Sequence, residues 1–257
     1  LHRGGDAVHR LGLADGLDVV VLHRGGEAGR PGHRLGQLPH LRVGEQLLRR
    51  GVLLPPHVSA DEQVEGLVPD VRLLAVDQSA VQRLQTALVG LRLGHDAKKS
   101  DILGLAVRGG SVVSHIIWGE NVRAPMIDRG TADYYLSFEW LEGLRRLVYT
   151  NKDTVVLAND WRIDPVSVSS GQADYPDEDG IRAAIRERCA GLREIPATPL
   201  AVEMGNARVF NSVMMGGLAQ LVGGDADVWR SVIADRVAPK VRDLNVRAFD
   251  AGLNHTF

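Results

Sequence analysis

Residues 98–118 read Lys98-Lys99-Ser100-Asp101-Ile102-Leu103-Gly104-Leu105-Ala106-Val107-Arg108-Gly109-Gly110-Ser111-Val112-Val113-Ser114-His115-Ile116-Ile117-Trp118. The glycine pair marks a turn, because without a Cβ the backbone can enter positive-φ regions and lie close to a ligand or another chain. Arg108 places a fixed charge and a fork of donors at that turn. Four β-branched aliphatics and a tryptophan lie among the seven residues after Ser111, a composition that suits a pleated, buried surface. The stretch therefore predicts a glycine turn feeding a buried strand over 111–118. From the pattern alone, a tight turn before a strand accounts for it without a ligand.

On both sides of this stretch, apolar runs and helical spacing alternate. Upstream, Val71–Val76 reads as a strand and Ala80–Leu93 as a helix with Val81, Leu84, Leu88 and Leu91 on one face. Downstream, Gly119-Glu120-Asn121 reads as a turn, and Val122–Ala124 as a short returning strand halted by Pro125. A strand over 133–138 then leads into a helix from Glu139 to Tyr149 with Trp140, Leu144, Leu147 and Val148 inward. Thr154–Ala158 is almost wholly apolar, as a central parallel strand should be. In Pro165-Val166-Ser167-Val168-Ser169, alternation favours a strand with one wet face over a nucleophilic serine, since no His/Asp pair stands at telling spacing.

The last third is helical. Asp177-Glu178-Asp179 place acids at the positive end of a helix through Ala190. A short strand follows over 193–195. Thr198-Pro199 opens another helix, threonine at the cap, which Gly205-Asn206 ends. Residues 207–222 form the most apolar helix, and Gly216-Gly217 in its middle predicts close approach by another helix or a partner chain. Helices over 227–237 and 239–251 complete the chain. Strands alternating with helices give an α/β fold, a parallel-rich sheet with helices on both faces.

With these elements in place, a resemblance can be drawn. The run 98–119, followed in order by Ala124-Pro125-Met126-Ile127, Pro165–Ser169, Ala173-Asp174-Tyr175-Pro176, Gly205-Asn206-Ala207-Arg208 and Pro239-Lys240-Val241, resembles the Rossmann-like gamma-type domain of 2-oxoacid:ferredoxin oxidoreductases, in its indolepyruvate branch. The likeness covers roughly Gly94 to Gly252. It implies a gamma-type domain over 71–257, well matched from about 94. It also implies a cytoplasmic, non-cofactor subunit, inactive alone, whose larger companion carries thiamine diphosphate and iron–sulfur clusters. Together they would convert indolepyruvate and other arylpyruvates to aryl-acetyl-CoA and reduce ferredoxin. Pyruvate, 2-oxoglutarate or branched-chain 2-oxoacids are alternative substrates, and a non-catalytic binding module is the alternative of another class. On this resemblance Arg108, Gly109, Gly110 and Ser111, with Gly205 and Asn206, would meet the companion subunit or coenzyme A. No catalytic residue and no metal site is expected.

The chain departs from that pattern at one place. Family members carry a Gly-x-Gly-Gly-type loop between the first strand and helix, where bare N–H groups can face phosphate. Here the connector is Asp77-Gln78-Ser79.

Composition sets further bounds. The 257 residues are 44% hydrophobic with a formal charge of −2, which gives no basic excess for nucleic acid and no apolar run that spans a bilayer. The start lacks a charged-then-apolar leader, so the cytoplasm is the expected compartment. One cysteine, Cys189, excludes an internal disulfide and cannot hold a four-thiolate iron–sulfur cluster.

Residues 1–70 form an atypical extension, expected to be poorly ordered. Before Lys98 there is no isoleucine, lysine or aromatic residue, and seven of nine histidines lie at or before His95. Three readings fit: an appended small domain, a disordered extension, or a stretch that is not a natural coding frame, the last being preferred. The histidines do not make a metal site, because no pair has helical i, i+4 spacing and no cysteine or carboxylate cluster completes a shell.

Overall fold

The computed structural model describes residues 7–12, 17–23, 71–76, 80–103 and 112–257. The expectation for the 1–70 extension falls largely outside these residues. So do Asp77-Gln78-Ser79 and Arg108, Gly109, Gly110 and Ser111.

Strands β1 (Ala7–Gly12), β2 (Leu17–His23), β3 (Val71–Val76), β4 (Asp96–Leu103), β5 (Val112–Gly119), β6 (Tyr134–Ser137), β7 (Val155–Asn159) and β8 (Gly191–Ile195) form one sheet in the order β1-β2-β4-β5-β3-β6-β7-β8. From β3 through β6 and β7 to β8 the neighbours run parallel. On the other side of β3, each pairing out to β1 is antiparallel. The α/β layering follows the sequence, with the parallel strands as one half of a mixed sheet.

Side-chain alternation divides the core in two. Val71, Leu73, Ala75, Ile116, Trp118, Leu136 and Leu157 face one layer of helices: α1 (Ala80–Arg92), α5 (Ala197–Glu203), α6 (Phe210–Val222), α7 (Ala226–Arg236) and α8 (Arg242–Leu253). Leu74, Val76, Val113, Tyr135, Val156 and Ala158 face the other layer, which holds α2 (Trp140–Arg145) and α4 (Glu178–Arg188). Between β7 and α4, the single turn α3 (Val166–Ser169) interrupts a long connection. No helix among the described residues is long and apolar enough to cross a membrane.

The predicted helix approach at Gly216 is real. A Cβ there would stand 2.0 Å from the Phe249 carbonyl oxygen, and one on Gly252 would stand 1.9 Å from that of Val213. Helices α6 and α8 therefore touch backbone to backbone, which explains two glycines whose helix propensity is about 1 kcal/mol worse than alanine.

Four expectations are corrected. Val122–Ala124 is not a strand; the Val122 N–H instead donates to the Asp96 carboxylate at 2.9 Å. Residues 166–169 are a helical turn, because successive N–H groups reach the Pro165 and Val166 carbonyls and leave none for a ladder. The predicted 139–149 helix stops at Arg145 and resumes as a 3-10 turn over Leu147–Tyr149, which turns Val148 outward. Thr198 is inside α5 rather than its cap, and its hydroxyl and N–H both bond Asn159.

Candidate functional site

In open α/β sheets, ligands are met at the carboxyl ends of the strands. At that edge here lie Val76, Ser137, Asn159 and Ile195. Leu103 and Val112 pair with each other at the same end, beside the Val113–Val76 pair. The strands that bracket residues 104–111 thus end where the parallel strands end. The first residues of α6 reach this edge too. Phe210 meets Phe138 edge-on at 5.9 Å between centroids, and the Gln82 side chain of α1 donates to the Asn211 carbonyl at 3.3 Å.

Gly205 ends α5 with φ +88, where an L side chain would be strained, and the space beyond it is open. Asn206 caps the following 3-10 turn, its side-chain oxygen accepting from the Arg208 N–H at 3.0 Å. Backbone geometry accounts for both residues, and both stand at the accessible end of α5. Their pairing with Arg108–Ser111 is not described.

Sequence reasoning missed a second feature at the same edge. Glu139, 7% exposed, caps α2 by accepting the Glu142 N–H at 2.9 Å. Its other oxygen accepts the Tyr175 hydroxyl, and that hydroxyl accepts the Leu141 N–H at 3.1 Å. Burial first, then the Glu139 carboxylate, pushes the Tyr175 phenol well above its ordinary pKa, so it remains a donor. Arg162 stacks over the Tyr175 ring at 4.2 Å. An acid following a buried strand and preceding a helix was the available signal. The tyrosine that completes the pair is 36 residues away, in the Ala173–Pro176 motif, and nothing local links it to Glu139.

Beneath α1, the Lys-Lys-Ser-Asp segment proves to be strand β4, so its side chains alternate. Lys99 and Asp101 point to the α1 side, and Lys99 donates to Asp101. The Ser114 hydroxyl donates to the same carboxylate at 2.7 Å, and Arg83 Nε lies 3.5 Å away. All four residues are buried. A Lys-x-Asp pair two apart on one strand face was legible, once β4 was known to be a strand.

His115 faces the opposite layer. Its Nδ1 accepts the Ile127 N–H at 3.1 Å, which leaves the proton on Nε2 and removes the free lone pair a general base needs. Burial lowers its pKa from 6.5 to about 4, with Asp101 opposing weakly. The native state therefore binds fewer protons than the unfolded chain between these values. The His115 contribution to stability should be constant above about pH 7, fall as pH drops through 6.5 towards 4, and lose about 3 kcal/mol in total. Urea midpoints at pH 7.5 and 4.5 check this: His115→Gln should flatten the difference, and an equally steep fall in that variant would contradict it.

The single thiol, Cys189, is buried against the Thr150 hydroxyl at 3.4 Å, and burial pushes its pKa up, the setting of an unreactive cysteine. Among the described residues, no three His, Cys, Asp or Glu side chains converge to hold a metal. The edge offers hydrogen-bond donors, aromatic surface and charge, the materials of binding.

The family model described as pyruvate ferredoxin/flavodoxin oxidoreductase matches residues 78–255. The chain belongs to this family. Within the pyruvate ferredoxin/flavodoxin oxidoreductase family it is similar to indolepyruvate oxidoreductase subunit IorB of Thermococcus kodakarensis, at 37% identity over 63% of this chain and 82% of that protein. The Pyrococcus horikoshii subunit of the same name is 36% identical over the same shares. Among solved structures, the pyruvate oxidoreductase subunit PORC of Thermotoga maritima shares the fold, with TM-score 0.52 and 15% identity over 72% of this chain and 95% of that one. The 2-oxoglutarate:ferredoxin oxidoreductase of Magnetococcus marinus gives TM-score 0.53 at 19% identity, over 72% of this chain and 30% of its own. In that enzyme the fold occupies part of a longer polypeptide.

Proposed function

We propose that this chain is the small subunit of an indolepyruvate:ferredoxin oxidoreductase, with residues 71–257 as its family domain, acting in the cytoplasm. The observation that carries the reading is the identity above one third to subunits of that name, across more than four fifths of their length. The donor set of the chain agrees. An iron–sulfur cluster needs about four thiolates, and one buried cysteine cannot supply them.

In this reading thiamine diphosphate and the iron–sulfur clusters belong to a larger companion subunit, which passes electrons to ferredoxin. The companion's thiamine supplies the decarboxylation of the 2-oxoacid and its clusters carry the electrons. This chain supplies shape and contact surface. Arg108, Gly109, Gly110 and Ser111 with Gly205 and Asn206 would form the surface that meets the companion near coenzyme A. Arg108 would pair with a phosphate or carboxylate, and the glycines would admit close approach.

Two measurements on the reconstituted two-subunit enzyme test this. Indolepyruvate and phenylpyruvate should exceed pyruvate, 2-oxoglutarate and branched-chain 2-oxoacids at least tenfold in kcat/KM; a preference for one of the latter would reassign the substrate. Arg108→Ala should raise the KM for coenzyme A about tenfold, the scale of one lost charged contact, while the subunits still co-purify. An unchanged KM with unchanged assembly would discard that role.

A further inference from the structure

The connection between β7 and α4 exposes apolar side chains that the other described residues do not cover. Trp161, Ile163 and Val166 are 41%, 50% and 83% exposed, three of the seven large exposed hydrophobics among the described residues, within six positions of one another. A patch of this kind marks a surface that another molecule covers.

The patch is held in place. The Trp161 carbonyl accepts the Trp140 N–H at 3.4 Å, and the turn at 166–169 is closed by its own backbone bonds. Tyr175 ties the far side to Glu139, and Arg162 stacks on Tyr175. An ordered loop gives up little conformational freedom on binding, which favours recognition by preformed shape.

Charge and shape specify the occupant. Residues 160–179 carry six carboxylates, Asp160, Asp164, Asp174, Asp177, Glu178 and Asp179, against Arg162, which pairs with Asp164, and the neighbouring Arg182, which pairs with Asp160, Glu178 and Asp179, so the surface keeps a net negative charge. Beside the apolar side chains, Trp140, Asp160, Trp161, Arg162, Asp164 and Glu178 line an open cavity of about 440 Å³. Its exposed Trp161 indole and net acidic rim suit a guanidinium or ammonium group. Arg182 already occupies one indole, with its guanidinium 4.3 Å from the Trp140 ring, as the intramolecular precedent for such a contact.

We propose that residues 160–177 are a docking surface for the companion subunit, which seats a basic side chain in the cavity and covers Trp161, Ile163 and Val166 with an apolar rim. This rests on the subunit reading above. That reading supplies the partner: the relatives are named as subunits, and in the Magnetococcus enzyme the fold is built into a longer chain. The apolar centre supplies affinity, and the acidic surround steers a basic face to it.

The test uses the full chain co-expressed with the companion subunit from the same genome, with a photo-crosslinking amino acid at position 166. Val148, exposed at the opposite end of the parallel strands, is the control position. Crosslinks from 166 to a lysine- or arginine-bearing segment of the companion, with none from 148, are the expected result. Val166→Asp should weaken association at least tenfold, and rising salt should weaken the wild-type complex. An intact complex without crosslinks from 166, or crosslinks joining two copies of this chain, overturns the surface assignment and leaves the subunit reading standing. Failure of the wild-type chains to associate overturns both.

Discussion

Gly216→Ala is expected to lower the melting temperature of the full chain by about 10 °C, following a loss of about 3 kcal/mol from overpacking. The added methyl would stand 2.0 Å from the Phe249 carbonyl oxygen and 2.5 Å from the Leu253 nitrogen, both backbone atoms that no rotamer change can move. Helices α6 and α8 must separate to admit it, and Val213, Met214 and Phe249, all fully buried, lose contact when they do. Gly252→Ala should behave alike, since its methyl meets the Val213 carbonyl at 1.9 Å. Gly205→Ala is the contrast: nothing stands within 4 Å of its Cβ position, so only the strain of φ +88 remains, about 1 kcal/mol. Thermal denaturation of the three variants separates steric clash from backbone strain. A Gly216 variant as stable as Gly205→Ala would show that α6 and α8 are not in backbone contact.

The second large effect lies at Asp101. Asp101→Ala removes a carboxylate that the buried Lys99 ammonium, Arg83 guanidinium and Ser114 hydroxyl share. Breaking a buried pair from one side costs about 3–5 kcal/mol, mainly for the charge left behind. The near-isosteric Asp101→Asn keeps volume and should still lose most of this stability, which distinguishes charge from packing. Adding Lys99→Met to Asp101→Asn should recover part of the loss, because exchanging both partners is far less costly than removing one. Urea denaturation of the two single variants and the double gives the coupling directly. A loss below about 1 kcal/mol for Asp101→Asn, within the range of exposed pairs, would mean that the cluster is hydrated.

The strands and helices legible in the sequence were those whose residues are buried on period. Val71–Val76, the strand expected over 111–118 and the apolar α6 each follow from side chains that must face a core. The Gly216-Gly217 pair also announced its purpose, since two helix-weakening residues within the most apolar helix need a compensating contact. The misread elements were governed by long-range partners. Val122 pairs with an aspartate 26 positions away, and Thr198 serves Asn159 across 39 positions. Local propensity cannot see either. The Ser/Val alternation at 165–169 resembles a strand, but no strand among the described residues offers it a ladder, and short polar side chains favour a local turn.

The site was legible unevenly for the same reason. Gly205 and Asn206 stood out as helix punctuation, and the structure places them at an exposed helix end. Glu139 did not, and Tyr175 stood out only within the Ala173–Pro176 motif, because the two have meaning only as a pair. Lys99 and Asp101 were visible as residues of a motif, yet their role depends on strand alternation, which places them beneath α1 rather than in solvent.

In the proposed function this polypeptide contributes contact surface while carbon and electron chemistry belong to a companion subunit. Indolepyruvate- and coenzyme A-dependent reduction of ferredoxin, measured with this chain alone, the companion alone and the two combined, tests it most directly. Reduction should be absent with this chain alone and greatest with both subunits together. Turnover by the isolated chain, or no gain when it is added to the companion, would contradict the account.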